Sequence, residues 1–438
     1  MCGFQNETTL YLTSGGGKMK MGFCETDITP DAPVTMVGFN RADNISKGVL
    51  DCLVAQVTVW ENNGLYCLVA IDNIGFNKKE SDQLRDLIGL GIDEDREKVM
   101  VSFSHTHSAV NTAVEKSYYE MLCIKICNAA RKAKESMENV SIGWDNAVAE
   151  IGVNRRSFGK VDRRVGILKV CGENSDDMKL MILRLTAHAN VLKRDNYFIS
   201  ADYFGTVRRL FSEKYHCPVM IIQGSAGNIA PKYYCSTIVP IDGRGEAYIN
   251  SVTALDDIAQ EVLSETEAVI HSIKVYSDIH VLAYSKYITL KSKVPSMTEA
   301  YKIADEAAEN CGIDGSKWLD EVKNLNENNI NFQTECLEVQ YFCIGNWCLC
   351  GIPNETMTEF AIDIENMLLN PYFYFNGYTN GCTSYFPTKE EYDLGGYEVY
   401  WAMLIYFQDY GRVYPYHRES FDEITKFVVD HYSIMGLI

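Results

Sequence analysis

The chain has 438 residues, of which 47% are hydrophobic and 23% are charged, and its formal net charge is −19. This length is enough for one large or two ordinary domains with full cores, and the composition is that of a globular protein rather than a disordered one. The acidic charge argues against a nucleic-acid partner and against an anionic membrane surface, because both require a basic face. No apolar run approaches the ~20 residues that span a bilayer, so we expect no stable membrane anchor.

Residues 1–21 are predicted to be a loose leader. They contain Gly15-Gly16-Gly17 and lack the basic start and apolar core of a secretion signal. The fifteen cysteines are an odd number scattered through apolar segments, which is typical of reduced core thiols and not of a disulfide framework. We therefore predict a cytoplasmic protein in which residues 22–438 form one composite unit. The sequence does not indicate an oligomeric state.

Local patterns predict alternating strands and helices. Two strand-like runs, 53–60 and 65–71, flank Glu61-Asn62-Asn63-Gly64, and the Asn-Gly pair predicts a hairpin. The spacing of apolar residues over 113–137 predicts an amphipathic helix. The other predicted elements are a helix over 79–88, strands over 99–103, 140–153 and 164–187, a helix after Ser200, strand 218–223, helices 252–273 and 297–311 around strand 275–290, strands within 338–351, and a closing helix over 421–432.

Two histidines follow the apolar strand 99–103, in the run Ser104-His105-Thr106-His107-Ser108. In an extended segment, residues i and i+2 point to the same face, so both imidazoles can address one centre. One would then be a metal ligand, and the other would support it or carry a proton. Taken alone the motif is weak, because most such pairs are hydrogen-bonded surface or core histidines.

His188 and Glu355 are candidates to join His105 at a metal. Two imidazoles and one carboxylate form a zinc-binding set that retains a position for water or substrate. Zinc lowers the pKa of a bound water toward ~7 and polarises a carbonyl, so hydrolysis of an amide or ester would follow. The alternatives are a satisfied strand-end histidine at 188, and at Glu355 a carboxylate that favours a helix N-terminus.

A serine hydrolase is the competing interpretation, because Ser225 lies in Gln223-Gly224-Ser225-Ala226-Gly227 after an apolar strand. The nucleophile elbow requires Gly-x-Ser-x-Gly, and Gln223 occupies the place of the first glycine. The glycines have another use, since they let backbone approach a ligand closely and present amides to an oxyanion. A serine esterase therefore remains the weaker alternative.

Taken together and in chain order, the separate motifs resemble the neutral (non-lysosomal) ceramidase family. They run from about residue 22 to 398, and their order and spacing are more specific than any single motif. The matching blocks are Thr26-Asp27-Ile28-Thr29-Pro30, Ser104-His105-Thr106-His107-Ser108, Gly152-Val153-Asn154-Arg155, Ala187-His188, Ser200-Ala201-Asp202-Tyr203, Gly227-Asn228-Ile229-Ala230-Pro231, Pro353-Asn354-Glu355-Thr356-Met357-Thr358, and the stretch from Tyr385 to Tyr397.

The resemblance implies an α/β (mixed α+β) catalytic domain, in which mixed β-sheets are covered by helices, and one zinc ion that serves hydrolysis of an N-acyl bond. The twelve-residue interval between Tyr385 and Tyr397 matches the family's pair of tyrosines and favours these two over Tyr392. The residues that match the zinc ligands are His105, His188, Glu355 and Tyr385. Those that match the groups around the substrate and the zinc-bound water are His107, Arg155 and Tyr397.

Two departures from the family bear on the activity. Ala230 occupies the position of the serine regarded as catalytic, and a methyl group cannot attack a carbonyl. The chain also stops about forty residues beyond Tyr397, so we expect only the N-terminal catalytic domain and no immunoglobulin-like C-terminal domain. The sequence thus predicts a zinc-dependent hydrolase that cleaves an amide (N-acyl) bond of a small or lipid-like substrate through metal-activated water. A catalytically silent zinc- or ligand-binding relative is the alternative.

Overall fold

The computed structural model describes residues 18–156, 159–233 and 251–434. Its strands are β1 (Lys20–Asp27), β2 (Gly48–Val49), β3 (Val54–Glu61), β4 (Leu65–Ile71), β5 (Val99–Phe103), β6 (Glu138–Val148), β7 (Gly152–Asn154), β8 (Arg164–Gly172), β9 (Met178–Leu185), β10 (Phe198–Ile199), β11 (Val219–Gln223), β12 (Ile229–Pro231), β13 (Val281–Lys293), β14 (Phe332–Ile344), β15 (Trp347–Gly351), β16 (Glu355–Thr356), β17 (Phe373–Asn376) and β18 (Tyr385–Phe386).

The helices alternate with these strands. They are α1 (Lys78–Ile92), α2 (Lys116–Glu135), α3 (Tyr203–Tyr215), α4 (Val252–Ser272), α5 (Met297–Cys311), α6 (Ser316–Glu327), α7 (Thr358–Leu368), α8 (Lys389–Leu394), α9 (Met403–Tyr410) and α10 (Ser420–Ile434), with a 3-10 turn at Arg96–Lys98 and a π-helical turn at Tyr397–Trp401. No helix in the described ranges is long and apolar enough to cross a membrane.

The main sheet has eight strands in the order β11-β9-β8-β6-β1-β3-β4-β5. The pairs β4–β5 and β9–β11 are parallel and the others are antiparallel, so the sheet is mixed. The predicted hairpin is confirmed as β3 and β4. Asn63 and Gly64 both have positive φ in its turn, which is the conformation that an Asn-Gly pair supplies.

The two edge strands of the main sheet come together at one end. The side-chain amide of Gln223, at the end of β11, donates to the carbonyl of Ser104 (3.1 Å) and to that of Ala187 (2.8 Å). Ser104 follows β5 and Ala187 follows β9, so one buried amide ties together three strand ends. The polar residues that follow these three strands therefore lie close together.

The molecule is layered around two stacked sheets. Helices α1–α4 share one apolar core with the main sheet; Leu122 and Ile126 of α2 and Val57 of β3 belong to it. The opposite face of the main sheet packs on a second sheet, β13-β14-β15-β17, through residues such as Ile182 and Trp347. Helices α7 and α10 cover the outer face of that second sheet. The fold buries both faces of both sheets.

A fully buried charged group lies near the junction of the two sheets. Arg184 of β9 donates to Asp162 (2.6 Å) and to the side-chain carbonyl of Asn376 (3.0 Å). Arg164 of β8 donates to both oxygens of Asp162, at 2.9 and 3.0 Å. Burial alone would raise the pKa of the Asp162 carboxyl, but the two guanidinium groups outweigh it and hold that pKa well below its usual range.

The structure revises several predicted boundaries. The single strand expected over 164–187 is two antiparallel strands, β8 and β9, joined by a turn in which the Ser175 amide donates to the Gly172 carbonyl. The helix expected from 113 begins at Lys116, because Asn111 accepts the amides of Val114 and Glu115 in a preceding turn. The strand expected over 275–290 is β13, and α6 was not predicted.

The boundary of the expected leader also moves. Strand β1 starts at Lys20, and Met21 is buried in it, so the sheet begins inside the segment 1–21. Residues 1–17 lie outside the described residues.

Candidate metal centre

His105 lies two residues beyond β5, in a backbone conformation with φ of 59°. Its amide donates to the carbonyl of Asn73 (2.9 Å), and its Nδ1 lies 2.6 Å from the carbonyl of Ile74. A carbonyl partner requires a proton on Nδ1, so in the neutral form of the ring the lone pair is on Nε2. The strand end and these two contacts aim that lone pair into the molecule, as a metal ligand requires.

His188 is arranged in the same way at the end of β9. Its amide donates to the carbonyl of Ile229 (2.9 Å), and its Nδ1 lies 2.6 Å from the carbonyl of Ala226. Burial, with a contribution from the nearby Arg155, lowers the pKa of His188 to about 4. This imidazole is therefore neutral at pH 7 and offers a free Nε2.

Glu355 faces both imidazoles. Its Oε2 lies 3.2 Å from the Nε2 of His105 and 3.2 Å from the Nε2 of His188, and the side chain is 1% exposed. Burial would raise the pKa of this carboxyl, but the two histidines hold it well below its usual range. Helix α7 begins only at Thr358, and the carboxylate is engaged by imidazoles, so the role at a helix N-terminus is not the one observed.

His107 completes a group of three histidines whose candidate ligand atoms all lie within 4.8 Å of one another. Its Nδ1 lies 3.0 Å from the carbonyl of Gly38, which leaves the lone pair on Nε2. Within the described residues that Nε2 is buried without a hydrogen-bond partner. Buried polar atoms are rarely left unpaired, so this orphaned nitrogen points to a ligand or water at the centre of the group. Burial and the neighbouring histidines lower the pKa of His107 well below 6.5.

The donor set fits zinc in type and spacing. Donors bound 2.0–2.1 Å from a tetrahedral zinc lie about 3.3 Å from one another, and Glu355 Oε2 is 3.2 Å from each of the two Nε2 atoms. The predicted proton carrier His107 is near enough to be a ligand as well. The structure thus offers two overlapping ligand sets: His105 and His188 with Glu355, or the three histidines.

Tyr385 reaches this group through strand pairing. In the parallel pair β16–β18, Glu355 lies directly opposite Tyr385. The Tyr385 hydroxyl accepts from Nη2 of Arg155 (3.3 Å), and its ring lies 5.9 Å from that of Tyr397. Burial, followed by the charge of Glu355, raises the pKa of Tyr385 well above 10. The predicted fourth ligand is therefore beside the cluster, and its recorded hydroxyl partner is a guanidinium.

Arg155 and Tyr397 form the outer wall of the site. Arg155 donates through Nε to Glu398 (3.0 Å) and through Nη2 to the carbonyl of Gly227 (2.8 Å). Tyr397 begins the π-helical turn that also carries Glu398. Burial and the charge of Glu355 raise the pKa of Tyr397, so its hydroxyl stays protonated and can donate. All seven sequence-predicted residues thus lie in one region of the molecule.

Two known structures share this architecture. The crystal structure of neutral ceramidase from Pseudomonas aeruginosa matches with a TM-score of 0.70 over 94% of this chain and 74% of that chain, at 14% identity. The chain has a ceramidase-like fold. A ceramidase complexed with C2 matches with a TM-score of 0.69 at the same coverage and identity. No family model matches the sequence, and neither does any curated protein.

The mixed α/β fold class predicted from the resemblance to ceramidases is therefore confirmed. At 14% identity the likeness to these structures speaks to the fold and not to the reaction.

Two tyrosines at the site were not predicted. The ring of Tyr378 lies 4.3 Å from that of His105, and its hydroxyl lies 3.5 Å from Glu355 Oε2. The hydroxyl of Tyr406, on α9, contacts Glu355 Oε1. Neither belongs to a recognisable motif in a chain with 27 tyrosines, so no local signal could have identified them.

Asp202 holds the segment that follows His188. Its carboxylate accepts the amides of Val191 (3.1 Å) and Leu192 (2.9 Å), and it also caps α3. Burial raises the pKa of this carboxyl to about 6, although the amides that it binds act in the opposite direction. The predicted helix start after Ser200 is confirmed, and the carboxylate serves the histidine segment as well as the helix.

Ser225 has a structural role. Its hydroxyl is fully buried, donates to the carbonyl of Phe375 (2.7 Å) and accepts from Thr356 (3.0 Å). Gly227, two residues after Ser225, also serves packing, because a Cβ at this position would lie 2.6 Å from the carbonyl oxygen of Glu355. This arrangement gives no support to a serine nucleophile at position 225.

Ala230 lies on β12, paired with Val153 of β7, and is fully buried. It follows Ile229, whose carbonyl accepts the amide of His188. A methyl group therefore lies on the strand that supports one of the candidate ligands.

Proposed function

We propose that the protein is a zinc-dependent hydrolase that cleaves an amide (N-acyl) bond in a small or lipid-like substrate. The observation that carries the proposal is the convergence of two Nε2 atoms and Glu355 Oε2 in a buried site. The ceramidase-like fold supports the same chemistry, since both structural neighbours are ceramidases. His105, His188 and Glu355 would hold the metal, with Tyr385 as a fourth ligand. Bound zinc would polarise a carbonyl and make a water molecule more acidic.

His107 would accept the proton that the attacking water gives up. Its Nδ1 is engaged by Gly38, so the free lone pair is on Nε2, the atom that faces the other two imidazoles. The imidazole is neutral because its pKa is lowered, and a neutral imidazole is the form that can take up a proton. The same nitrogen can return the proton to the leaving amine.

Tyr397 and Arg155 would act on the substrate carbonyl and its neighbours. The protonated Tyr397 hydroxyl can donate to the oxygen on which negative charge develops. Arg155 is held by Glu398 and Gly227 and donates to Tyr385, so it would orient that phenol and favour a polar or anionic group nearby. These groups are largely buried, and water would be displaced when a substrate enters, which strengthens such interactions.

A catalytically silent zinc- or ligand-binding protein is the second candidate. It is favoured by Ala230, which stands where the resemblance to ceramidases implies a serine. It is also favoured by the closure of the site, because His188 is 0% exposed and His105 and Glu355 are each 1% exposed. The cytoplasmic location predicted from the cysteines remains a prediction for both candidates.

The test measures metal content and turnover in the same preparations. We expect about one zinc per chain by elemental analysis, and hydrolysis of some members of a panel of N-acyl amines and N-acyl amino acids. His188→Ala should lose both, because it removes a ligand whose pKa of about 4 keeps it available. His271→Ala is the matched control, since that side chain is 68% exposed and does not belong to the three-histidine group.

The outcomes separate the two candidates. Zinc without turnover of any N-acyl compound would favour the silent protein. Absence of zinc from the unmodified protein, or undiminished zinc in His188→Ala, would refute the zinc hydrolase and the zinc-binding form of the silent protein. Long-chain ceramide in mixed micelles belongs in the panel as a weak substrate, because the acidic chain gains no attraction to an anionic lipid surface.

A further inference from the structure

The carboxylate of Glu355 is held from two sides. Its Oε2 faces the Nε2 atoms of His105 and His188, while its Oε1 accepts from the hydroxyl of Tyr406. A phenol is protonated near neutral pH, so this hydroxyl is the donor. The two oxygens of the carboxylate therefore have different partners. Oε2 faces the imidazoles, and Oε1 binds the Tyr406 hydroxyl of α9.

Helix α9 is itself fixed to the same part of the fold. Tyr410 lies four residues after Tyr406, on the same face of the helix, and its hydroxyl donates to the carbonyl of Cys382. Directly after the helix, Arg412 donates to the hydroxyl of Ser384 (2.5 Å). Ser384 in turn accepts the amide of Glu355 at 2.9 Å. The tyrosine is thus presented by an element that also braces the backbone of the carboxylate it touches.

We propose that Tyr406 is a positioning residue of the metal centre, which fixes the Glu355 carboxylate so that Oε2, and not Oε1, is available to the metal. The inference rests on the proposed zinc site and extends it to a residue outside the set predicted from the sequence. Groups that hydrogen-bond a metal-binding carboxylate set its orientation, and their loss typically costs 10–100-fold in metal affinity. Without the phenol, Oε1 would be free to compete for the metal, and the carboxylate would have two ways to bind.

The test titrates metal-free protein with Zn²⁺ against a chromogenic chelator. Tyr406→Phe keeps the ring and removes only the hydroxyl, and we expect its Kd for zinc to rise by about 10–100-fold. Tyr410→Phe is the matched control, because it removes a hydroxyl that anchors the same helix but donates to the Cys382 carbonyl and not to a candidate ligand, so it measures the effect of loosening α9 alone. Its Kd should stay within about threefold of that of the unmodified protein.

A spectroscopic measurement distinguishes positioning from simple loosening of the fold. Cobalt(II) replaces zinc in such sites, and its visible absorption reports the number and arrangement of its ligands. We expect the cobalt spectrum of Tyr406→Phe to differ from that of the unmodified protein, and the spectrum of Tyr410→Phe to match it. Thermal unfolding of the metal-free forms checks that both variants fold.

Three results would count against the inference. Equal zinc affinity and an unchanged cobalt spectrum in Tyr406→Phe would overturn it and leave the proposed function intact. Equal weakening in both variants would assign the effect to α9 in general and would also overturn it. If the unmodified protein binds no zinc, the proposed function fails and the inference fails with it.

Discussion

Two buried polar clusters in this protein contain carboxylates with depressed pKa values, and they differ in how their polar atoms are satisfied. At the junction of the sheets, Asp162 accepts from Arg184 and Arg164, and Arg184 has a further partner in Asn376. At the strand ends, Glu355 faces two imidazoles, and the Nε2 of His107 has no partner among the described residues.

The difference separates a structural cluster from the proposed metal centre. The Asp162 cluster pairs two guanidinium groups with two carboxylates, because Arg164 also contacts Glu365 at 3.2 Å, so its charges are matched. In the Glu355 cluster a carboxylate oxygen and two imidazole nitrogens converge on one place, and such electron-rich atoms repel one another unless a cation or a proton lies between them. A low carboxyl pKa is common to both clusters and does not distinguish them. The pairing of their hydrogen-bond donors and acceptors does distinguish them.

The largest expected effect comes from converting the Glu355 carboxylate to an amide. In Glu355→Gln we expect loss of bound zinc and of all N-acyl hydrolysis, because the amide carries no charge to hold the ion. Stability of the metal-free protein should change by no more than about 1 kcal/mol, since the amide keeps the size of the side chain and can still hydrogen-bond the imidazoles. Metal analysis, turnover and chemical denaturation check this. Retention of zinc would remove Glu355 from the ligand set.

The matched change at the other cluster is Asp162→Asn, which should have the opposite profile. It leaves two buried guanidinium groups without their shared carboxylate, and we expect the free energy of unfolding to fall by about 3–5 kcal/mol. Zinc stoichiometry of the folded fraction should be unchanged. If Asp162→Asn lost its zinc while its free energy of unfolding stayed unchanged, the Asp162 cluster would be the better candidate for the metal centre.

Acid should weaken one cluster and spare the other. The pKa of His188 is lowered from 6.5 to about 4, so between these pH values the unfolded chain binds more protons than the folded one. The contribution of His188 to stability is therefore present above pH 6.5 and is lost as the pH falls toward 4, by at most about 3 kcal/mol. Denaturation of metal-free protein at pH 7.5, 5.5 and 4.5 would measure it.

The control for this pH dependence is His188→Gln, which has no imidazole to titrate and should show a flatter dependence between pH 6.5 and 4. Asp162 does not contribute in this window because its pKa is held far below it. Parallel curves for the two proteins would show that His188 titrates normally in the folded state.

The smallest expected effect is that of Ala230→Ser. If water that is activated at the metal attacks the carbonyl, a restored hydroxyl would only help to orient that water. Turnover should then change by less than about tenfold. Kinetics on the best substrate of the panel would measure this. An inert unmodified protein in which Ala230→Ser hydrolyses an N-acyl substrate would favour the silent candidate for the natural chain.

Local patterns in the sequence were sufficient to predict the hairpin and several of the helices. The Asn-Gly turn predicts the hairpin of β3 and β4, and the apolar spacing predicts α2 to within three residues. Helix α6 carries a similar signal, since Trp318, Val322 and Leu325 lie four and three residues apart and are all buried. The turn inside 164–187 carries Gly172 and Ser175, which also mark it.

The composition of the site could be predicted only in part. The order of the motifs predicted that His105, His188 and Glu355 would meet, and the structure places Glu355 Oε2 3.2 Å from the Nε2 atom of each histidine. Their convergence depends on the meeting of β5 and β11, which no local pattern encodes. Tyr378 and Tyr406 reach Glu355 through the tertiary fold alone, so their contacts are visible only once the sheets are assembled.

The left-handed backbone at His105 costs stability at a position where the proposed metal centre needs an imidazole. A histidine with a φ of 59° is more strained in this conformation than glycine or asparagine would be. Selection for heat resistance alone would be free to replace it, and selection for turnover would not. Two libraries would test this, one selected only for activity and one selected only for thermal survival. Histidine should persist at position 105 in the first library and be lost from the second.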